Sequence, residues 1–209
     1  ESDTQLGYYG DLSIVPNPAS DFTFDPETGT ILKYIGLSEK VVVPYSIDGV
    51  FVENIGVDSF VNNINLTGVT FPNTIKSIGN DAFRGTRLST LTLPNSVETL
   101  GDYSFYSIPT LTTVTTGTGL KKINTCAFAN TGLTKITLNE GLLEIGKQSF
   151  QSTKLEILTI PSTVTTLGTY IAKDTTTLKT INIPKSLKSQ VFASYTKTTF
   201  DTSATLVYY

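Results

Sequence analysis

The 209-residue sequence contains no histidine, no tryptophan and no methionine, and its single cysteine is Cys126. Without histidine the chain has no Ser-His-Asp or Cys-His pair and no imidazole ligand for zinc. A lone cysteine forms no disulfide within the chain, so stability has to come from packing. No apolar run approaches the roughly 20 residues that cross a bilayer. We therefore expect a protein that is not an enzyme, with no cofactor, no metal site and no membrane insertion by this segment.

Charged residues are scarce as well. They make up 16% of the chain, the net charge is −3 and the pI is about 5.0. This mildly acidic balance argues against binding to nucleic-acid phosphates, and a hydrophobic fraction of 39% excludes a disordered chain. Because methionine is absent, we expect Glu1 to follow either a removed secretory signal or a cut within a longer protein. The first alternative predicts an extracellular or cell-surface location.

The sequence is rich in threonine, with 36 residues, and in a repeat of 22 or 23 residues. The copies align without gaps, and their first leucines are Leu66, Leu88, Leu111, Leu133, Leu155 and Leu178. An aromatic column follows the same step at Phe60, Phe83, Phe105, Phe128 and Phe150, and continues as Ala172 and Tyr195. A glycine column contains Gly56, Gly79, Gly101, Gly146 and Gly168, with Asn124 replacing one member. Six copies in one register predict a solenoid.

Each copy follows the pattern L-x-x-I-x-L-P-x-x-V-x-x-I-G-x-x-A-F, which predicts the path of one coil. Leu91 and Leu93 are two residues apart and point to the same side of a short strand. Pro94 then ends strand pairing because it has no amide proton to donate. Gly101 serves either a positive φ or a close backbone approach, and Phe105 fills the coil from the other side. We predict a mainly β, right-handed leucine-rich-repeat solenoid of about seven coils of 22–23 residues.

The ends of the chain depart from the repeat. An irregular copy at 41–60 contains five extra residues between Pro44 and Val52, and the turn at 46–49 is expected to hold them. Two alternating runs on either side of residues 25–29 predict a β-hairpin. We divide the chain into an N-terminal cap with this hairpin at 1–40, the solenoid at 41–195 and a C-terminal cap strand at 196–209. Such caps cover the apolar faces of the end coils.

These motifs resemble the BspA-like, or Treponema-type, leucine-rich-repeat family. The resemblance covers roughly residues 41–195 and rests on the L-x-x-I-x-L-P strand followed by V-x-x-I-G-x-x-A-F. It implies a surface or secreted protein of a host-associated bacterium, and several family members are linked with adhesion. One departure is that the family often has cysteine shortly after the A-F pair. This chain has Gly85, Ser107, Asn130 and Ser152 there, so no family role transfers to Cys126.

Residues that alternate with the strand aliphatics must point away from the core. With Gly68 and Ile157 they form two adjacent columns in the predicted ladder, and both columns are rich in hydroxyl groups. We name the ten polar members the front face: Thr70, Thr90, Thr92, Thr113, Thr115, Lys135, Thr137, Thr159, Thr180 and Asn182. Its hydroxyls can donate and accept hydrogen bonds to a polypeptide or a sugar. Alternatively, β-branched threonine simply suits a solvated strand.

Other reactive or aromatic residues have simpler interpretations. Tyrosines near the ends, at 8, 9, 208 and 209, are either interface anchors or, as we favour, parts of cap strands. Cys126 is expected to be a packed thiol, since no neighbouring group would activate it. The carboxylate pairs Asp48 with Glu53 and Asp21 with Asp25 match no calcium-loop spacing.

Function is therefore expected to lie in recognition. The first hypothesis is a secreted or cell-surface adhesion module whose partner is an extracellular protein or polysaccharide. The second is a structural spacer that displays other domains and has no ligand of its own. Fold alone does not choose between the two.

Overall fold

The computed structural model describes residues 7–10, 13–189 and 203–209. The chain forms a mainly β solenoid of about seven turns with little helix, which confirms the predicted fold class. Two short 3-10 turns occur at Ala19–Asp21 and Lys185–Leu187. Within the described ranges, no helix is long and apolar enough to cross a membrane.

Each coil contributes one front strand and one shorter return strand. The front strands are β3 (Lys40–Val42), β7 (Gly68–Thr70), β9 (Thr90–Thr92), β11 (Thr113–Thr115), β13 (Lys135–Thr137), β15 (Ile157–Thr159) and β17 (Thr180–Ile183). The return strands are β6 (Asn54–Ile55), β8 (Ser77–Ile78), β10 (Thr99–Leu100), β12 (Lys122–Ile123), β14 (Glu144–Ile145) and β16 (Thr166–Leu167). The remaining strands are β1 (Phe22–Asp25), β2 (Thr30–Tyr34), β4 (Ser46–Ile47), β5 (Val50–Phe51) and β18 (Thr205–Tyr208).

The return strands form one continuous sheet with the N-terminal hairpin. Its order is β1-β2-β6-β8-β10-β12-β14-β16. The hairpin partners β1 and β2 are antiparallel, as predicted, and β2 then pairs parallel with β6. The hairpin therefore covers the first return strand with backbone hydrogen bonds and leaves no open edge there.

The aromatic column is a stack of buried rings along the solenoid axis. Neighbouring centroids from Phe60 to Phe150 lie 4.7, 5.2, 5.5 and 6.0 Å apart, and the planes are within 13° of parallel. The predicted packing of each ring on its neighbours is confirmed. The stack also begins earlier than the repeat, because Tyr34 of the hairpin lies 5.3 Å from Phe60 and 5.4 Å from Phe22. Ala172 is buried at the next place, and Tyr195 lies outside the described residues.

The segment that carries each phenylalanine makes a third line of hydrogen bonds between coils. In one coil the amides of Tyr103, Phe105 and Ser107 donate to the next coil at 2.9, 2.9 and 3.0 Å. The first and last of these three residues have left-handed backbone, with φ of 57° and 58°. The same conformation recurs in every coil, at Asp58, Asp81, Tyr103, Cys126, Gln148 and Tyr170 and at Asn62, Gly85, Ser107, Asn130, Ser152 and Asp174. Left-handed non-glycine residues cost roughly 1–2 kcal/mol each, which the shared hydrogen bonds and ring packing offset.

The glycine column serves a close approach of backbones. Gly101 has no positive φ, and a Cβ built on it would lie 2.6 Å from the carbonyl carbon of Gly79 in the preceding coil. Gly168 stands in the same relation to Gly146, at 2.5 Å. Of the two roles left open by the sequence, the structure selects this one, because positive φ falls on the neighbouring columns instead.

The insertion in the first coil is a small hairpin. Strands β4 and β5 pair antiparallel, and Asp48 and Gly49 between them have φ of 51° and 81°. Both values suit a two-residue hairpin turn, which confirms the predicted turn at 46–49.

At the other end, β18 pairs parallel with β17. The region between them at 190–202 is not described, so the boundaries 1–40, 41–195 and 196–209 stay predictions.

We expect Phe105→Ala to lower the free energy of unfolding by about 3–5 kcal/mol, because it leaves a cavity between two stacked rings. Urea unfolding followed by circular dichroism measures this loss. Thr115→Ala, on the exposed side of a front strand, should cost much less. Equal losses for the two variants would mean that the assignment of inner and outer residues is wrong.

We expect Gly101→Ala to cost about 1–3 kcal/mol, since the added methyl group meets backbone atoms that cannot move aside. The control is Gly68→Ala, where the nearest atom to the new Cβ is a flexible Lys40 carbon at 3.4 Å. That variant should retain wild-type stability. The same urea titration compares them, and a neutral Gly101→Ala would contradict the close approach.

Candidate binding face

The predicted front face lies on the outside of the front strands. Strand centres such as Leu91, Val114 and Leu158 are buried. Six members of the front face are exposed: Thr90, Thr92, Thr115, Lys135, Thr137 and Thr159. The other four are half-buried: Thr70, Thr113, Thr180 and Asn182. The inward and outward assignment made from the sequence is therefore confirmed, while its role in binding stays a prediction.

Strand pairing brings the threonines into two columns. Thr92 lies beside Thr115, which lies beside Thr137. One step away along the strands, Thr113 lies between Thr90 and Lys135. Further along, Asn182 donates a hydrogen bond from Nδ2 to Thr159 Oγ1 at 2.9 Å. The central part of the front face is thus a surface of side-by-side hydroxyl groups.

The columns are not one continuous ladder, which corrects the flat surface expected from the sequence. Front strands pair in three groups, β3-β7, β9-β11-β13 and β15-β17-β18. In the middle group Leu93 N–H donates to Thr115 C=O at 3.0 Å. The equivalent bond from Phe71 N–H to Thr92 C=O is absent from the described structure. The break coincides with a larger side chain, since Phe71 replaces leucine and its ring packs edge-on against Phe83, with centroids 5.7 Å apart.

Most hydroxyl groups of the front face have no partner inside the protein. Among the described residues, this holds for Thr70, Thr90, Thr92, Thr113, Thr115, Thr137 and Thr180. Each can therefore both donate and accept a hydrogen bond to a ligand or to water.

Other threonines have a structural role that the sequence analysis missed. They are buried three residues after the aromatic column, and their hydroxyls donate to its carbonyls. Thr86 bonds to Phe83 O at 2.9 Å, Thr131 to Phe128 O at 2.8 Å and Thr153 to Phe150 O at 3.0 Å. Their fixed distance from each phenylalanine is a signal that could have found them.

Charged side chains pair mainly away from the front face. On the return sheet Lys122 lies 2.9 Å from Glu144, and Lys76 pairs with Glu53. These pairs are exposed, so each contributes little to stability. Lys135 is the single charged member of the front face, which leaves that surface nearly neutral.

The remaining candidates are structural. Cys126 is buried and free, as expected, and burial raises the pKa of its thiol against the opposing effects of a Tyr103 hydrogen bond and the Lys147 charge. Among the residues that the structure describes, no acidic or sulfur cluster could hold a metal. Tyr208 lies in the cap strand β18, as predicted, but Tyr8 and Tyr9 lie in no strand. They pack beside the first coils instead.

Comparison with known proteins gives a family and a fold. A sequence model described as "BspA type Leucine rich repeat region" matches in 6 copies, over residues 53–178 and 99–206. No curated protein matches the sequence.

Solved structures of bacterial repeat proteins are similar. A leucine-rich repeat protein of T. pallidum has a TM-score of 0.55 and 22% identity over 81% of this chain and 72% of that one. A leucine rich cell surface protein of Faecalibacterium prausnitzii has a TM-score of 0.54 and 24% identity, covering 82% of this chain and 55% of the other. A leucine-rich repeat protein of Eubacterium ventriosum is 31% identical, with a TM-score of 0.45, over 47% of this chain and 26% of its own. This chain thus spans about half the length of the Faecalibacterium protein.

We expect Cys126 to react slowly with a thiol reagent such as DTNB at pH 7 in the folded protein. Its raised pKa lowers the thiolate fraction at this pH, and burial blocks access. Reaction should become complete in denaturant. A cysteine placed on the front face by Thr115→Cys in a Cys126→Ala background should react at once. Equal rates for the two native proteins would contradict the packed position of Cys126.

Proposed function

The chain belongs to the BspA-type leucine-rich repeat family, and on that premise we propose that it is a secreted or cell-surface recognition module. In this proposal the front face binds an extracellular protein or polysaccharide. The observation that carries it is the set of seven threonine hydroxyls on one side of the solenoid that make no hydrogen bond within the described protein.

The contrast with the buried threonines supports this role. Where threonine serves the fold, as at Thr86 and Thr131, its hydroxyl is bonded to a backbone carbonyl. On the front face the hydroxyls of Thr92, Thr115 and Thr137 stand in register and are open. A rigid array of this kind loses little conformational entropy on binding, because β-branched side chains on paired strands are already restricted.

A surface location is part of the proposal. It is supported by the family and by the similar Faecalibacterium protein, which is described as a cell surface protein. The spacer hypothesis predicts the same fold and the same location, so it differs only in having no ligand.

The test is a binding screen of the purified chain against extracellular-matrix proteins, mucin and polysaccharides. We expect the double variant Thr115→Lys with Thr137→Glu to weaken the binding of a hit at least about 10-fold, because it replaces two central hydroxyls with large charged groups. The new charges face each other in register and cancel, so folding should be preserved.

A matched control carries the same pair of charges on the return sheet. Thr99→Glu lies beside Lys122 and Thr166→Lys lies beside Glu144, so both changes meet opposite charges. This control should bind as well as wild type. If both double variants bind equally, recognition lies elsewhere than on the front face. If no ligand is found at high micromolar concentration, the spacer hypothesis is the better one.

A further inference from the structure

A cavity of about 460 Å³ lies on the front side of the solenoid, where the ladder is broken between β7 and β9. Small-molecule sites in proteins have volumes of about 300–1,000 Å³. The polar side chains around this cavity come from two neighbouring coils: Thr70, Asn73, Thr90, Thr92 and Asn95. We call this cavity the cleft.

The polar groups of the cleft are largely unused by the protein itself. The three threonine hydroxyls have no partner among the described residues, and neither has the side chain of Asn73. Asn95 accepts a hydrogen bond from Thr118 N–H at 2.9 Å through Oδ1, which fixes the orientation of its amide group. Its Nδ2 group keeps two protons to donate.

The broken ladder adds backbone groups to this set. Phe71 and Thr92 both line the cleft. Phe71 N–H and Thr92 C=O do not bond to each other, although their equivalents Leu93 and Thr115 do so in the next coil. The cleft therefore contains an open donor and an open acceptor that a ligand or ordered water would have to satisfy.

Tyr8 and Tyr9 form an aromatic wall that is held in place before any ligand arrives. The ring of Tyr8 stacks on Tyr45 with centroids 4.5 Å apart and planes 11° from parallel. Its carbonyl accepts a hydrogen bond from Asn73 N–H at 2.7 Å. The hydroxyl of Tyr9 donates to Val43 C=O at 2.7 Å, and burial raises the pKa of this phenol, so the proton stays in that bond. Such a pre-organised wall lowers the cost of binding.

The chemistry of the lining selects a class of ligand. No residue that lines the cleft is charged, so an ionic ligand would lose hydration without gaining a counter-charge. A purely apolar ligand would leave the amides and hydroxyls desolvated and unpaired. A neutral sugar satisfies both conditions, because its hydroxyls match the polar groups and its C–H face can lie on a tyrosine ring. We propose that the cleft is a subsite for a neutral oligosaccharide, an inference that rests on the proposed recognition function.

The experiment is isothermal titration of the full chain with neutral cello-, xylo-, manno- and malto-oligosaccharides, with oligogalacturonate as a charged comparator. At least one neutral series should bind and the charged one should not. Thr92→Val keeps the shape of the side chain and removes one hydrogen-bonding group, so affinity should fall about 3- to 10-fold. Tyr8→Ala removes the aromatic wall and should weaken binding further.

The matched control is Thr115→Val. It removes the equivalent hydroxyl one coil further along, outside the cleft, and should bind as wild type does. Thermal unfolding of each variant checks that lost binding is not lost folding. In addition, the side-chain amide resonances of Asn73 and Asn95 should shift when the sugar binds to wild type.

Three results would overturn the proposal, and they have different consequences for the recognition function. If a sugar binds equally to wild type, Thr92→Val and Tyr8→Ala, the site is elsewhere but recognition stands. If no neutral sugar binds, yet the front-face double variant abolishes binding of a protein ligand, the ligand class is wrong and recognition again stands. If no sugar and no protein binds, both proposals fail.

Discussion

Stacking of one aromatic ring per coil requires that the chain return to the same place after every 22 or 23 residues. Five phenylalanine rings from Phe60 to Phe150 meet this condition, with planes within 13° of parallel. Because the rings are buried between adjacent coils, a coil with a different path would open a cavity on both of its sides. Three lines of backbone hydrogen bonds, on the front, on the return side and beside the rings, then follow from the same register. The left-handed residues and the close glycine contacts are what the chain has to accept to keep it.

The same register determines the surface. Once each coil has one path, equivalent residues of successive coils lie side by side, and a sequence preference repeated six times becomes a column on the molecule. This is how threonines at intervals of 22 or 23 residues form the front face. Departures from the register have local effects, and the clearest is Phe71, where a larger side chain coincides with a break in the ladder and with the cleft. A recognition protein built in this way can vary its surface without altering its core.

Threonine fills two distinct positions in this solenoid. Buried members such as Thr131 and Thr153 bond to the carbonyls of the aromatic column and belong to the fold. Exposed members such as Thr92 and Thr115 leave their hydroxyls open. Composition alone does not separate the two groups, although both contribute to the same count of 36. Their distances from the nearest phenylalanine and from the strand leucines do separate them, because the coil path assigns each distance to the inside or the outside.

The repeat length, the fold class, the inward and outward residues and the two hairpins were all predictable from the sequence. Each depends on periodicity or on local turn chemistry, and the repetition of the signal in several coils removes the ambiguity of any single one. Other features depended on contacts between coils or between distant segments. Only the tertiary structure showed that Gly101 serves a close approach, that Tyr34 extends the ring stack, and that the front ladder is divided. It also placed Tyr8 beside Thr92, more than 80 residues away along the chain. Nothing in a repeat pattern encodes that contact, because the terminal segment lies outside the repeat and is positioned by packing alone.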